Sequence, residues 1–262
     1  MGRYVRLYRL FVKYSLMRAM MYKEDFLIWS AVMVGWFILT IIFYQVLFAN
    51  VSEVAGWTKA ELLILQGYYF VFDFILWGVL WPNMKQLPIK INKGELDYDL
   101  IRPISAQFML SFRELDLDNA NEVILGVATI IYGLRLGQIH PGVVETLLAI
   151  MTVVAAIVFI YAFYFISICI AFWFDRIENL HYFFPSFRHL WKQPQSFYSG
   201  WLRWILTIIV PITLVTTLPT EWLLMRLPWK ETIFLIVFSL VALWFSRWFF
   251  KVALRRYSSA SS

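Results

Sequence analysis

A single cysteine, Cys169, in 262 residues excludes an intrachain disulfide and a cysteine-based zinc site. No glycine is followed by lysine anywhere, so the Walker A loop that cradles nucleotide phosphates is absent and any ATP must be handled by another chain. A Gly-x-Ser-x-Gly elbow is missing too, and no Ser, His and Asp stand at spacings that argue for a hydrolase. Charge is scarce, at 15% of residues, and two long stretches have none: Asp25 is followed by no charged residue until Glu53, and Glu145 by none until Asp175. Each exceeds the roughly 20 apolar residues that cross a bilayer core of about 30 Å. The chain is therefore an integral membrane protein. With 61% hydrophobic residues and a mean hydropathy of +0.68, it has no room for a large extramembrane catalytic domain beside six spans.

The charge that is present is unevenly placed. If every apolar run crosses, the loops alternate sides, and 19 of the 23 Lys and Arg fall on one side, leaving Lys59, Arg135, Arg226 and Lys230 on the other. By the positive-inside rule the basic side, with both termini, is cytoplasmic. The net charge of +6 then belongs to cytoplasmic loops, which attract anionic inner-leaflet lipid, and nucleic acid is not expected as a partner. No signal-peptide pattern is present, because basic residues continue to Lys23 and the next apolar run is too long for an h-region.

The expected architecture is all-α and polytopic, a single permease-sized domain over 1–262 with six transmembrane helices. Residues 1–24 place Arg3, Arg6, Arg9 and Lys13 along one face of a helix, with Tyr4, Leu7, Tyr8, Phe11, Val12 and Leu16 over much of the rest. That pattern reads as an amphipathic helix at the cytoplasmic surface, or as charge that only fixes orientation. Spans are predicted near Phe26–Ala49, Leu62–Met84, Asn121–Gly137, within Val143–Phe174, and near Thr232–Phe250. A polar cytoplasmic loop over 85–119 is punctuated by Pro88 and Pro103, with Ser105 as the N-cap of a helix leading toward the third span.

Residues 176–225 admit two readings. Either 176–203 is a cytoplasmic loop and 204–225 spans, or a polar helix near 178–195 spans and 196–225 forms a broken, partly re-entrant segment toward the outside. Pro211 and Pro219 argue against a straight spanning helix there. A serine-rich tail, Ser258 to Ser262, is expected to fray.

Few residues suit chemistry. Glu178 and His181 stand at i, i+3, a spacing that ligates metal on some helices but serves interfacial polar contacts equally well. Asp116, Asp118 and Glu122 superficially resemble a calcium loop, yet Ala120 occupies a ligand position and Asn121 replaces the turn glycine. No metal or other cofactor is expected. Asp73, near the middle of the second span, is the sharpest single residue, because an ionisable group there costs at least about 2.5–3.5 kcal/mol and must find a partner. It is read either as a structural acid or as the carrier of a coupling ion. Gly126, Gly133 and Gly137 form a small-residue stripe on the third span, suited to close helix packing within the subunit or across a dimer.

The most specific pattern follows the second span, where Ile91 to Pro103 reads INKGELDYDLIRP. Here the chain resembles the membrane subunits of type-2 ABC exporters, in particular a bacterial branch carrying an I-x-x-G-x-L-D-x-x-L-x-R-P-like stretch. Ile91, Gly94, Leu96, Asp97, Leu100, Arg102 and Pro103 match it, and Glu95 lies within it. The resemblance extends more loosely over nearly the whole chain, through the basic N-terminal helix, six spans and a late proline-punctuated apolar segment. It departs from the family at 181–192, where His181, Arg188, His189 and Lys192 are unusually polar for a fifth span.

The resemblance implies a cytoplasmic coupling helix in 85–119 that inserts into a separate ABC ATPase, which binds the ATP and Mg. It implies a second permease subunit, identical or related, and a place in a bacterial cytoplasmic membrane. It also implies short external re-entrant helices over 196–225. Two rival functions remain open: an ion-coupled secondary transporter using Asp73, and a membrane-embedded enzyme acting on lipid headgroups through residues 175–192.

Overall fold

The computed structural model describes residues 2–174 and 185–257, so Asp175, Arg176, Glu178, His181 and the serine tail lie outside the described residues. Helix α1 (Gly2–Met21) leads through Tyr22 into α2 (Lys23–Leu47), whose most apolar stretch is left uncovered by the rest of the chain. At the far end of α2, strands β1 (Glu53–Val54) and β2 (Trp57–Thr58) pair antiparallel. Ala55 and Gly56 between them take φ of +49° and +78°, the left-handed pair that a two-residue hairpin demands.

Thr58 then caps α3 (Lys59–Phe74). Its hydroxyl accepts from the Glu61 amide and the Glu61 carboxylate accepts from the Thr58 amide, a capping box. The helical run does not stop where the second span was expected to end, at Met84. It continues through a π-helical turn (Ile75–Leu80), α4 (Trp81–Met84) and α5 (Gln86–Lys93), making a run of 35 residues. At 1.5 Å per residue that is about 52 Å, well beyond a bilayer core. Pro88 is tolerated because it lies in the first turn of α5, where its missing N–H removes little.

The π turn has a local use. It sits beside an extended segment after α7 (Ala106–Phe112), where the Asp116 amide donates to the Gly78 carbonyl at 2.8 Å. A Cβ at Gly78 would lie 2.8 Å from the Asp116 carbonyl oxygen, so this approach requires glycine. Asn83 fastens the same segment, donating to the Glu114 carbonyl and accepting from the Glu114 amide, both at 2.7 Å.

Helix α8 (Asn121–Leu136) lies along α3, and α9 (Val143–Cys169) lies against α12 (Trp229–Leu254). The core between them is dominated by fully buried Phe72, Phe159, Phe165 and Trp222. Between α9 and α12, α10 (Gly200–Trp204) with its extension to Ile209 and α11 (Leu214–Leu223) are bent by 84° to one another. Among the described residues, four runs are long and apolar enough to cross a membrane: Lys23–Leu47, Lys59–Lys93, Val143–Phe172 and Trp229–Leu254. Helix α8, with 16 residues, reaches only about 24 Å. The fold is thus an all-α polytopic membrane protein with a vestigial hairpin.

Candidate functional site

Two places concentrate the residues singled out by sequence. The first is the turn after α5. Gly94 adopts φ +70°, its amide donates to the Ile91 carbonyl at 3.2 Å, and the Glu95 amide reaches the Lys90 carbonyl at 2.9 Å. These are the two hydrogen bonds of a Schellman cap, and the left-handed residue at its centre is glycine because a Cβ would be strained there. Leu96 turns inward to full burial, and Lys90 closes the turn with an ion pair to buried Asp99 at 2.5 Å. One turn of helix follows, α6 (Asp97–Leu100).

The motif thereby splits into a scaffold and a face. Gly94, Leu96 and Asp99 hold the turn, while Glu95, Leu100, Arg102 and Pro103 are exposed and Ile91 and Asp97 half-buried. Tyr98 and Ile101, at 67% and 78% exposure, supply the apolar part of that face. Neither was singled out by sequence, and neither was the Lys90–Asp99 clamp. Asp97 stands beside Tyr257, just past the end of α12; burial and the Asp97 carboxylate hold the Tyr257 hydroxyl above its ordinary range. The turn is therefore tied to the C-terminal end of the chain as well as to α5.

From there Ser105 caps α7, accepting from the Phe108 amide at 3.4 Å. Helix α1 docks on α7 and the segment beyond it. Tyr4 meets Phe108 edge-on with centroids 4.9 Å apart, Ser15 accepts from the Leu115 amide at 3.0 Å, and Arg18 pairs with Glu114. Asp116 accepts from the Asp118 amide at 3.1 Å in a turn that opens α8. Burial, with Asp116 next to it, raises the Asp118 carboxyl above its usual range.

The second place is mid-span on α3. Asp73, 6% exposed, receives Arg188 Nη1 on both carboxylate oxygens, at 2.8 and 2.7 Å. The Arg188 guanidinium also lies 5.1 Å from the Trp77 ring centre, and Lys192 Nζ lies 5.5 Å from that of Tyr69. Glu122 on α8 is buried nearby, and its Oε2 has no hydrogen-bond partner among the described residues. Sequence singled out Asp73 but left its partner open.

The glycines of α8 face α3. A Cβ at Gly126 would lie 2.6 Å from the Gly67 carbonyl oxygen, one at Gly133 2.9 Å from the Ala60 carbonyl oxygen, and one at Gly137 3.0 Å from Ala60 Cβ. The contact is within the subunit, and its α3 half, Ala60 and Gly67, carries no repeat that sequence inspection would flag.

Residues 196–226 are anchored to the hairpin at both ends. Trp57 Nε1 donates to Ser196 Oγ at 2.9 Å, and Ser196 donates to the Ala55 carbonyl. Arg226 pairs with Glu61 at 2.6 Å and lies over the Trp57 ring. The bent pair α10–α11 thus enters and leaves on one side.

Among protein families, the description "ABC-2 family transporter protein" matches this chain over residues 34–261. No curated protein and no solved structure matches it.

Proposed function

The chain belongs to the ABC-2 family of transporter proteins, a membrane permease of an ABC transporter, and from that premise we propose that it forms the path of an exporter driven by a separate ATPase. The observation that carries this reading is the rigid, exposed face from Glu95 to Pro103 at the end of the 35-residue helical run that contains Asp73. A push on that face would reach α5 directly, since the Schellman cap and the Lys90–Asp99 pair tie the turn to that helix.

The exposed residues suit a groove on an ATPase: Tyr98 and Ile101 as apolar anchors, Glu95 and Arg102 as rim charges. We count α2, α3, α8, α9 and α12 as crossings, with one more between α9 and α10. The 16-residue α8 is shielded by α3 along its glycine face. The uncovered flank of α2 is where a second permease or lipid would lie. Both termini and 85–119 are cytoplasmic in a bacterial inner membrane, by the distribution of Lys and Arg.

The rival ion-coupled reading loses its main support, because Asp73 is already held by a cation of the same chain. Cysteine placed at Tyr98 or Ile101, in a Cys169→Ala background, should cross-link to an ABC ATPase in native membranes. No captured ATPase, with the permease present at wild-type level in the membrane, overturns the coupling role.

A further inference from the structure

We propose that the cleft beneath α1 is a binding site for one anionic phospholipid, its phosphate held by Arg247 and Lys251 and its acyl chains lying against α7, α9 and α12. The cavity measures about 890 Å³, bounded by Tyr4 and Tyr8 of α1 on one side and by the cytoplasmic half of α12 on the other. That is near the upper end of the 300–1,000 Å³ of ordinary ligand sites. Its walls are mainly apolar, with Phe112, Ile157 and Leu243 prominent, and among the described residues no acidic one lines it.

Arg247 and Lys251 stand one helical turn apart on the face of α12 that also carries Leu243, Phe250 and Leu254 into the cavity. Both are exposed, and among the described residues neither forms an ion pair. Two unneutralised cations above an apolar cleft present the charge pattern of a phosphate joined to hydrocarbon, not that of a neutral lipid or a peptide. A polar network adjoins the cavity, reaching it through Gln107 and Tyr161. Gln107 donates to the Tyr161 hydroxyl at 3.0 Å and to Ser246 Oγ at 3.4 Å, and Ser111 bonds Tyr161 at 3.2 Å. Gln107 and Tyr161 of this network line the cavity, where they can hydrogen-bond the ester oxygens of a glycerolipid.

Helix α1 completes the site as a cover. Tyr4 and Tyr8 lie one turn apart over Phe108 and Phe112, with Tyr8 and Phe112 ring centres 6.4 Å apart. The leaflet that supplies the lipid rests on the orientation proposed above, but the site itself does not depend on it, nor on any ATPase.

Native mass spectrometry of the full purified chain tests the proposal with phosphatidylglycerol and phosphatidylcholine of identical acyl chains. Phosphatidylglycerol should bind about 30-fold more tightly, the effect of two cations at a lipid phosphate surface. Arg247→Gln with Lys251→Gln should bring the two lipids within about threefold of each other, with phosphatidylcholine binding weakened much less than phosphatidylglycerol binding. Ala106→Trp, which fills the cavity without touching charge, should weaken both lipids, and it carries the test if the double variant misfolds. Inorganic phosphate alone should leave no adduct. Undiminished headgroup preference in the double variant, wild-type lipid binding by Ala106→Trp, or a phosphate adduct that the double variant loses would each overturn the site. Failure of Tyr98 to capture an ATPase would leave these measurements untouched.

Discussion

Asp73 shows how a membrane chain tolerates a carboxylate near the middle of a span. Burial alone would make the ionised group costly, and Arg188 offsets that cost with contacts to both oxygens at 2.8 and 2.7 Å, its own charge leaning on Trp77. Such a pair is asymmetric under mutation, because deleting one partner strands the other. Arg188→Ala should therefore destabilise by about 3–5 kcal/mol, whereas Asp73→Asn keeps an acceptor and removes the charge, so it should cost clearly less. The double variant Asp73→Asn/Arg188→Gln should recover part of the Arg188→Ala loss. Cys169, buried and the only thiol, supplies the readout, since a thiol-reactive dye added during heating in detergent labels it only on unfolding. Reconstituted with its ATPase, Asp73→Asn should keep ATP-driven transport; a variant that folds but no longer transports would return Asp73 to the role of coupling residue. The acid was legible in the sequence because a charge inside an apolar run is conspicuous. Its partner was not, because Arg188 lies 115 residues away in a stretch that the sequence leaves open between a cytoplasmic loop and a polar span.

Between elements, the contact of α3 with α8 depends on missing side chains. The backbones approach so closely that a Cβ at Gly67 would lie 2.5 Å from the Gly126 carbonyl oxygen, and backbone, unlike a flexible side-chain tip, has little room to yield. Gly67→Ala should therefore separate the helices and cost about 1–3 kcal/mol or more, although Ala is the better helix former. Gly35→Ala on α2, where nothing lies within 4 Å, is the matched control and should be neutral or slightly stabilising. Equal melting temperatures for the two variants would show that the packing is not tight. The α8 half of this contact was legible from the spacing of Gly126, Gly133 and Gly137, since helical periodicity is a local property. The α3 half was not, because Gly67 stands alone among bulky neighbours. The length of the α3–α5 run was hidden for a related reason: Lys85, Gln86 and Pro88 signal a loop, and only tertiary anchoring by Asn83 and the Lys90–Asp99 pair shows why the helix continues.

For the molecule as a whole, the contacts sort the chain into two ends without reference to charge. The hairpin at 53–58, the end of α8 at Gly137 beside Ala60, Ser196 and Arg226 gather at one end; α1, the turn at Gly94, α7 and Tyr257 gather at the other. This division agrees with the Lys and Arg asymmetry except in 185–203, where Arg188 lies mid-span against Asp73 and Arg203 falls on the far side of it. Those residues weaken the charge bias without reversing it. They also separate the two readings of 176–225, because a cytoplasmic loop over 176–203 would place Ser199 at the same end as α1 and Gly94, whereas Ser196 bonded to Trp57 and Ala55 places Ser199 at the opposite end, with the hairpin. Single cysteines introduced in a Cys169→Ala background turn the difference into a measurement. Gln138, Ser199 and Met225 should react with a membrane-impermeant maleimide in intact cells, and Ile101 and Arg255 only after permeabilisation. The decisive position is Ser199, since both readings put Gln138 and Met225 outside. Protection of Ser199 until the membrane is opened would make 204–225 a span and the re-entrant pair untenable, whereas labelling in intact cells favours the alternative of a polar span near 178–195 followed by a re-entrant segment, with Arg188 reaching Asp73.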